Sequence, residues 1–211
     1  MARPREFDRD EALDQAVQVF WRQGFEATTM TDLREAMGIG RQSLYDTFGD
    51  KHQLFDEALT RYLALNNARL AETLGDNAGL DAIRAFLHDA AHNLSMQQPR
   101  RGCLIMNTCA ERAPHDVRAA ALTEQGLTST RTAFARVLRG AADRGEISPS
   151  TEVETIAAFL TSQMAGLSVL AQAGASENEL IAIADAAMAA IAGPGRRGGG
   201  MPGRSGERAS P

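Results

Sequence analysis

Arg41, Gln42, Ser43, Tyr45 and Thr47 fall within one short stretch and carry a guanidinium, an amide and three hydroxyls. Set on a helix whose Leu44 and Phe48 face inward, they form an outward face rich in hydrogen-bond donors. A guanidinium pairs bidentately with guanine O6 and N7, and an amide pairs with adenine, so the chemistry is readout of base edges. The segment before it, Thr29 to Met37, is a second short helix, and Gly38 fits a position just past its end, where φ > 0 costs glycine nothing. Two short helices joined by a tight glycine turn present the second at the angle that enters a DNA major groove. Lys51, the only lysine in the chain, opens the next helix. A cation there opposes the helix dipole unless an anion such as a phosphate lies near.

Each of these residues also has a plainer role. Arg41 and Gln42 fit a solvated helix surface, and the Tyr45 ring fits packing against Phe20 or Leu54. Leu33, Met37, Leu44 and Phe48 close a small core on one side of the pair.

The elements that must hold this face are helices almost throughout, with no convincing strand. Apolar spacing at Leu13, Ala16, Val17 and Phe20 predicts a first helix from Asp8 or Arg9 to Gln23, stopped by Gly24. Asp50 caps a long helix through Leu74, on which Leu54, Phe55, Ala58, Leu59, Tyr62 and Leu65 form the apolar face. Further helices are predicted from Leu80 to Met96, from Cys103 to Arg112 and from Asp116, its cap, to Arg144. Capping boxes at Thr151/Glu154 and Ser176/Glu179 open two more, ending near Ala173 and Ile191. The chain is therefore all-α: a helix-turn-helix domain over 1–52, a helical-bundle domain over 53–192 and a tail over 193–211. Gly, Pro, Arg and Ser dominate that tail, too little apolar surface to repay ordering, so it is expected to be disordered.

Composition is that of a globular protein, 44% hydrophobic and 23% charged. No apolar run approaches the ~20 residues of a bilayer span, and the start, Met1 to Asp8, has no apolar signal region. A cytoplasmic location, with no membrane partner, is expected. Cys103 and Cys109 are a poor disulfide framework in a reducing compartment. Net charge is -5, and residues 1–52 hold seven basic and ten acidic groups. Arg3, Arg5, Arg41 and Lys51 nevertheless fall where a groove and its phosphates would be met, and an acidic remainder suppresses non-specific binding.

Leu44-Tyr45-Asp46-Thr47-Phe48-Gly49-Asp50-Lys51, preceded by Gly38-Ile39 and Thr28-Thr29, resembles the signature of TetR-family transcriptional regulators. The resemblance covers about residues 8–65. It implies an N-terminal three-helix DNA-binding domain and a larger helical domain that binds a small effector and dimerises through its last two long helices. It places Thr31 against a phosphate and Arg41, Gln42 and Ser43 at the opening of the recognition helix. Tyr45 and Lys51 match phosphate contacts, and Thr47 lies near the strand backbone. Gly40 departs from the pattern, since a hydroxyl-bearing cap is common there, and Asp46 is unhelpful beside an anion.

One recognition helix reads only a few base pairs, whereas two related by a twofold axis read a pseudo-palindrome, so a homodimer on double-stranded DNA is expected. Ala157, Ala158, Ala165, Gly166, Ala184 and Ala187 among larger apolar residues let the last two helices pair closely with a second copy. Phe86, Leu87, Met96, Leu104, Met106, Phe134, Met164 and Leu167 are candidates to line an effector cavity. His88, His92, Asn107 and Glu111 are candidates to orient the effector. His88 and His92 have the spacing of a shared metal, but no third ligand is evident, so no metal or cofactor is expected. Gly102-Cys103-Leu104 with Glu111 resembles a segment of NemR-like electrophile sensors within the family. Arg100, Arg101 and a helix N-terminus would favour the Cys103 thiolate, which makes a cysteine-based sensor the alternative. An enzyme on a helical scaffold is a distant alternative, with no nucleophile–base–orienter spacing to support it. A helix-turn-helix serving protein contacts is another.

Overall fold

Asp8 opens the first helix by accepting the N–H groups of Asp10 and Glu11, and that carboxylate cap begins α1 (Arg9–Gln23). The structure, a computed structural model, describes residues 7–192; Arg3, Arg5 and the 193–211 tail lie outside the described residues. After α1 come α2 (Met30–Met37), α3 (Arg41–Phe48), α4 (Lys51–Thr73), α5 (Leu80–Ser95) and α6 (Leu104–Glu111). The chain continues through α7 (Val117–Asp143), α8 (Val153–Gln172) and α9 (Glu177–Ala192), with no strand among the described residues. Reciprocal capping boxes at Thr29/Asp32 and Asp50/Gln53 start α2 and α4.

Two of the sequence expectations change. No Thr151/Glu154 box forms: α8 starts at Val153 behind Glu152, without a side-chain cap. The Thr151 N–H is used by the Ser148 carbonyl in the preceding turn, and the Glu154 carboxylate pairs with Arg139 on α7. Leu65 is exposed, because the buried stripe of α4 runs through Leu59 and Leu63. The Ser176/Glu179 box does form, with the carboxylate taking the Ser176 N–H at 2.7 Å.

One buried cluster joins Leu13, Val17, Phe20, Leu33, Leu44, Phe48 and Phe55 with Leu63, Leu104, Ile105 and Leu122. It crosses the division expected at residue 52, because α4 packs against α1 and also against α6 and α7. Gly126 on α7 makes that approach possible: a Cβ there would lie 2.6 Å from Leu63 Cδ2 and 2.9 Å from Ile105 Cδ1. The second cluster, around Leu87, Phe134, Leu138, Leu160 and Leu180, holds α5, α7, α8 and α9 together. By length and composition alone α8 is apolar enough to cross a bilayer, contrary to the sequence expectation, with a mean hydropathy of 1.3. Only 22% of that window is buried within this chain.

Candidate nucleic-acid interface and the cavity behind it

Gly38 adopts the left-handed conformation (φ 65°, ψ 26°) and turns α2 into α3. Ile39 is buried beneath the turn, and Leu44 and Phe48 anchor the inner face of α3. The outer face then carries exposed Arg41, Gln42, Ser43 and Tyr45, with Thr47 half-buried and Thr31 exposed at the start of α2. The Arg41 guanidinium lies 5.9 Å from the Tyr45 ring, one helical turn on. Gln42 Nε2 donates to Asp46 Oδ1 at 2.8 Å, which engages one amide N–H and satisfies one oxygen of the carboxylate, whose charge remains. Gly40 caps α3 without a side-chain hydrogen bond, which leaves the first N–H groups of the helix without a side-chain acceptor.

α1 and α4 hold this pair in place. Arg61 donates bidentately to Asp14 at 2.8 and 3.0 Å, and Arg9 pairs with Glu57. Lys51 is half-buried and finds an environment the sequence argument did not supply: its Nζ donates to the Glu26 carbonyl at 3.3 Å and sits 4.3 Å from the Phe25 ring centroid. A carbonyl and a π face thus relieve the cation beside the helix dipole, with donors left for a phosphate.

Phe25 is the hinge of the interface to the bundle. Its other neighbours are the Arg112 guanidinium, 3.6 Å from the ring, and the His52 ring at 4.9 Å. Glu111 does not point at a ligand: its carboxylate accepts the backbone N–H groups of Phe25 at 3.0 Å and Glu26 at 2.8 Å. Arg112 is buried, pairs with Asp116 and bonds His52 Nδ1 at 3.0 Å. The other end of α6 is tied to the same domain, since Trp21 Nε1 donates to the Gly102 carbonyl at 3.0 Å.

Between these ties lies a cavity of about 150 Å³ bounded by α1, α4, α5, α6, α7 and α8. Of the expected effector residues it brings together Phe86, Cys103, Met106 and Met164. The others lie elsewhere. Met96 is exposed, while Phe134 and Leu167 are sealed in the bundle core, Phe134 edge-on behind Phe86. His88 and His92 face α9, 2.9 Å from Asp185 and Glu177 respectively, and the His88 contact lowers the Asp185 carboxyl below its usual range. Asn107 donates to the Arg101 carbonyl and accepts from Gln172, bracing the turn before α6. No three His, Cys, Asp or Glu side chains converge as a metal site among the described residues.

The cations expected beside Cys103 are engaged elsewhere. Arg100 donates to the Ala171 and Ala175 carbonyls, and Arg101 stacks 3.9 Å from the Trp21 ring while donating to Gln18. The sulphur instead receives the Tyr62 hydroxyl at 3.6 Å. Burial, followed by the neighbouring Cys103, pushes the Tyr62 phenol well above its usual range, so it stays a donor.

The sequence argument missed Trp21, Tyr62, Asn66 and Arg69, all of which line the cavity. A signal existed: Tyr62, Asn66 and Arg69 stand at i, i+4 and i+7, so polar groups line up beside the buried apolar stripe of α4.

Residues 12–58 match the family model described as bacterial regulatory proteins, tetR family, and residues 79–188 match a tetracyclin repressor-like C-terminal domain. The uncharacterized HTH-type transcriptional regulator YezE of Bacillus subtilis (strain 168) is 34% identical over 182 residues, 85% of this chain and 94% of that protein. The HTH-type transcriptional repressor ComR of Escherichia coli (strain K12) is 32% identical over 184 residues, 86% and 88% of the two. Among solved structures, a cysteine mutant of the TetR-family regulator CifR, complexed with 26-bp double-strand operator DNA, superposes with a TM-score of 0.80. It is 29% identical, covering 89% of this chain and 98% of that one.

Proposed function

This chain belongs to the TetR family of bacterial regulatory proteins, and on that basis we propose a dimeric, effector-responsive repressor of a pseudo-palindromic operator. The observation that carries this reading is α3: Arg41, Gln42, Ser43 and Tyr45 stand in solvent above buried Leu44 and Phe48, behind a left-handed glycine turn. Arg41 and Gln42 read base edges, with Ser43 beside them. Thr31, Tyr45, Thr47 and Lys51 hold the phosphate backbone. The DNA-complexed CifR structure and the repressor ComR support the same reading.

The second copy covers α8 and α9. Of the small residues expected at this seam, Ala158 and Gly166 are exposed on α8, whereas Ala157, Ala184 and Ala187 are buried within the chain itself; Ser162 on α8 and Ala182, Ala186, Ala189 and Ala190 on α9 take their place. Small residues there allow backbones to approach closely, which accounts for an apolar helix left so little covered by its own chain. An effector then acts by favouring one of two spacings between the recognition helices, the bound one being about 34–36 Å, one turn of DNA. Such a protein works where the chromosome is, in the cytoplasm, and no catalytic role is assigned to it.

Selection of bound fragments from a random duplex pool tests this reading. Recovery of an inverted repeat bound by two chains is expected, and recovery of no preferred sequence over competitor overturns it.

Cys103 supports a second reading, a sensor of electrophiles or oxidants, because its sulphur lies on the cavity wall. With Arg100 and Arg101 engaged elsewhere, that reading rests on the cavity alone. A mild alkylating agent releases operator DNA from the wild-type protein if it holds, and a full response in Cys103→Ser ends it.

A further inference from the structure

The cavity has an uneven charge. Arg69 is a cation on its wall, and no aspartate or glutamate lines it. Among the described residues the Arg69 side chain makes no hydrogen bond or ion pair; its guanidinium carbon lies 5.4 Å from the centroid of the Phe86 ring. At that distance the guanidinium is within cation–π range of the ring, an interaction that uses none of its N–H donors. Those donors match the two oxygens of a carboxylate in a fork-to-fork pair. Asn66, one turn before Arg69 on α4, adds a neutral amide to the same wall.

Most of the remaining surface is apolar and suits an apolar body, with Asn93, Gln97, Thr130, Thr161 and Ser168 as its other polar liners. Trp21, Tyr62, Phe86, Met106 and Met164 surround the space. A volume near 150 Å³ is small for a ligand site and fits a single ring or a short alkyl chain.

We propose that the effector is a small monocarboxylate with an aromatic or short-chain apolar body, its carboxylate on Arg69. This deepens the repressor reading and rests on it, since it names the class of molecule that occupies the regulated domain. A neutral amide fills the same space but offers the guanidinium a single uncharged acceptor in place of two charged oxygens, so charge discriminates more than shape.

Trp21 is the only tryptophan in the chain, so its emission reports occupancy of the cavity it lines. The full-length protein is titrated with sodium benzoate, phenylacetate and hexanoate and with the three matching primary amides, by Trp21 emission and by calorimetry. At least one carboxylate is expected to bind saturably and about tenfold or more tighter than its amide. Arg69→Gln brings the carboxylate down to the level of the amide, and Arg69→Lys, which keeps the charge but not the planar fork, restores only part of the difference. Equal binding of acid and amide, no binding of any carboxylate, or an unchanged preference in Arg69→Gln overturns the proposal. Ligand-free affinity for the selected DNA is measured on the same samples. Its absence overturns the repressor reading, whereas its presence without carboxylate binding overturns the ligand class alone.

Discussion

The Glu111 carboxylate, at the end of α6, accepts the backbone N–H of Phe25 at 3.0 Å, in the turn between α1 and α2. With Trp21 bonded to the Gly102 carbonyl at the other end of α6, one eight-residue helix is fastened to the DNA-binding helices at both ends. The cavity borders that helix through Ile105 and Met106. A molecule entering it therefore presses on the element that sets where α1 and the recognition pair sit. Glu111→Ala leaves two amide donors without their acceptor and is expected to cost about 1–3 kcal/mol in urea unfolding. Glu111→Gln, which keeps one acceptor oxygen, is expected to cost less.

Arg41→Ala should relax sequence preference more than it weakens binding overall. A bidentate guanine contact is worth about 1–3 kcal/mol of discrimination. Affinity for the selected operator falls by that amount in a competition assay, while affinity for unrelated duplex changes little.

Lys51→Ala should weaken binding to all sequences alike and reduce the salt slope of log affinity by about 1. A slope equal to that of the wild type would remove Lys51 from the set of phosphate contacts and leave it as a support for Phe25.

Gly166 faces solvent on α8, and a Cβ at that position meets nothing within 4 Å in the single chain. Gly166→Arg is therefore expected to leave the fold of one chain intact and to separate the dimer. Light scattering should report a monomer, with operator affinity lost together with the second recognition helix.

Asp116 caps α7 and pairs with Arg112; the Ala119 N–H holds its carboxyl below the usual range against the opposing effect of burial, and the Arg112 charge and the Arg118 N–H add to the lowering. Its folded value lies under its unfolded one, so its contribution is complete above the unfolded carboxylate range. That contribution is lost as pH falls through the folded value. Asp116→Asn should flatten the acid limb of a stability–pH profile measured by thermal unfolding, even though the amide can still cap the helix. Asp56 nearby is raised, by burial and then by the Asp116 charge, and contributes in the opposite sense.

Local signals determined the reading surface. Gly38, the Asp50 cap, and the alternation of Leu44 and Phe48 with polar neighbours all act within a few residues, so the helix-turn-helix pair and its exposed donors are legible in the sequence alone. The all-helical class followed from the same spacing. The cavity was not legible, because its walls come from six helices and a residue's period does not say which neighbour it meets. Phe134 and Leu167 read as liners and are core, while His88 and His92 read as ligand groups and are claimed by acidic residues on α9. Arg69 on α4 and the Phe86 ring beside it on α5 are far apart in the chain, so no local signal reports their meeting. Periodicity within a helix assigns the buried face, but only the packing of helices distant in the chain decides whether that face meets another side chain or encloses a space.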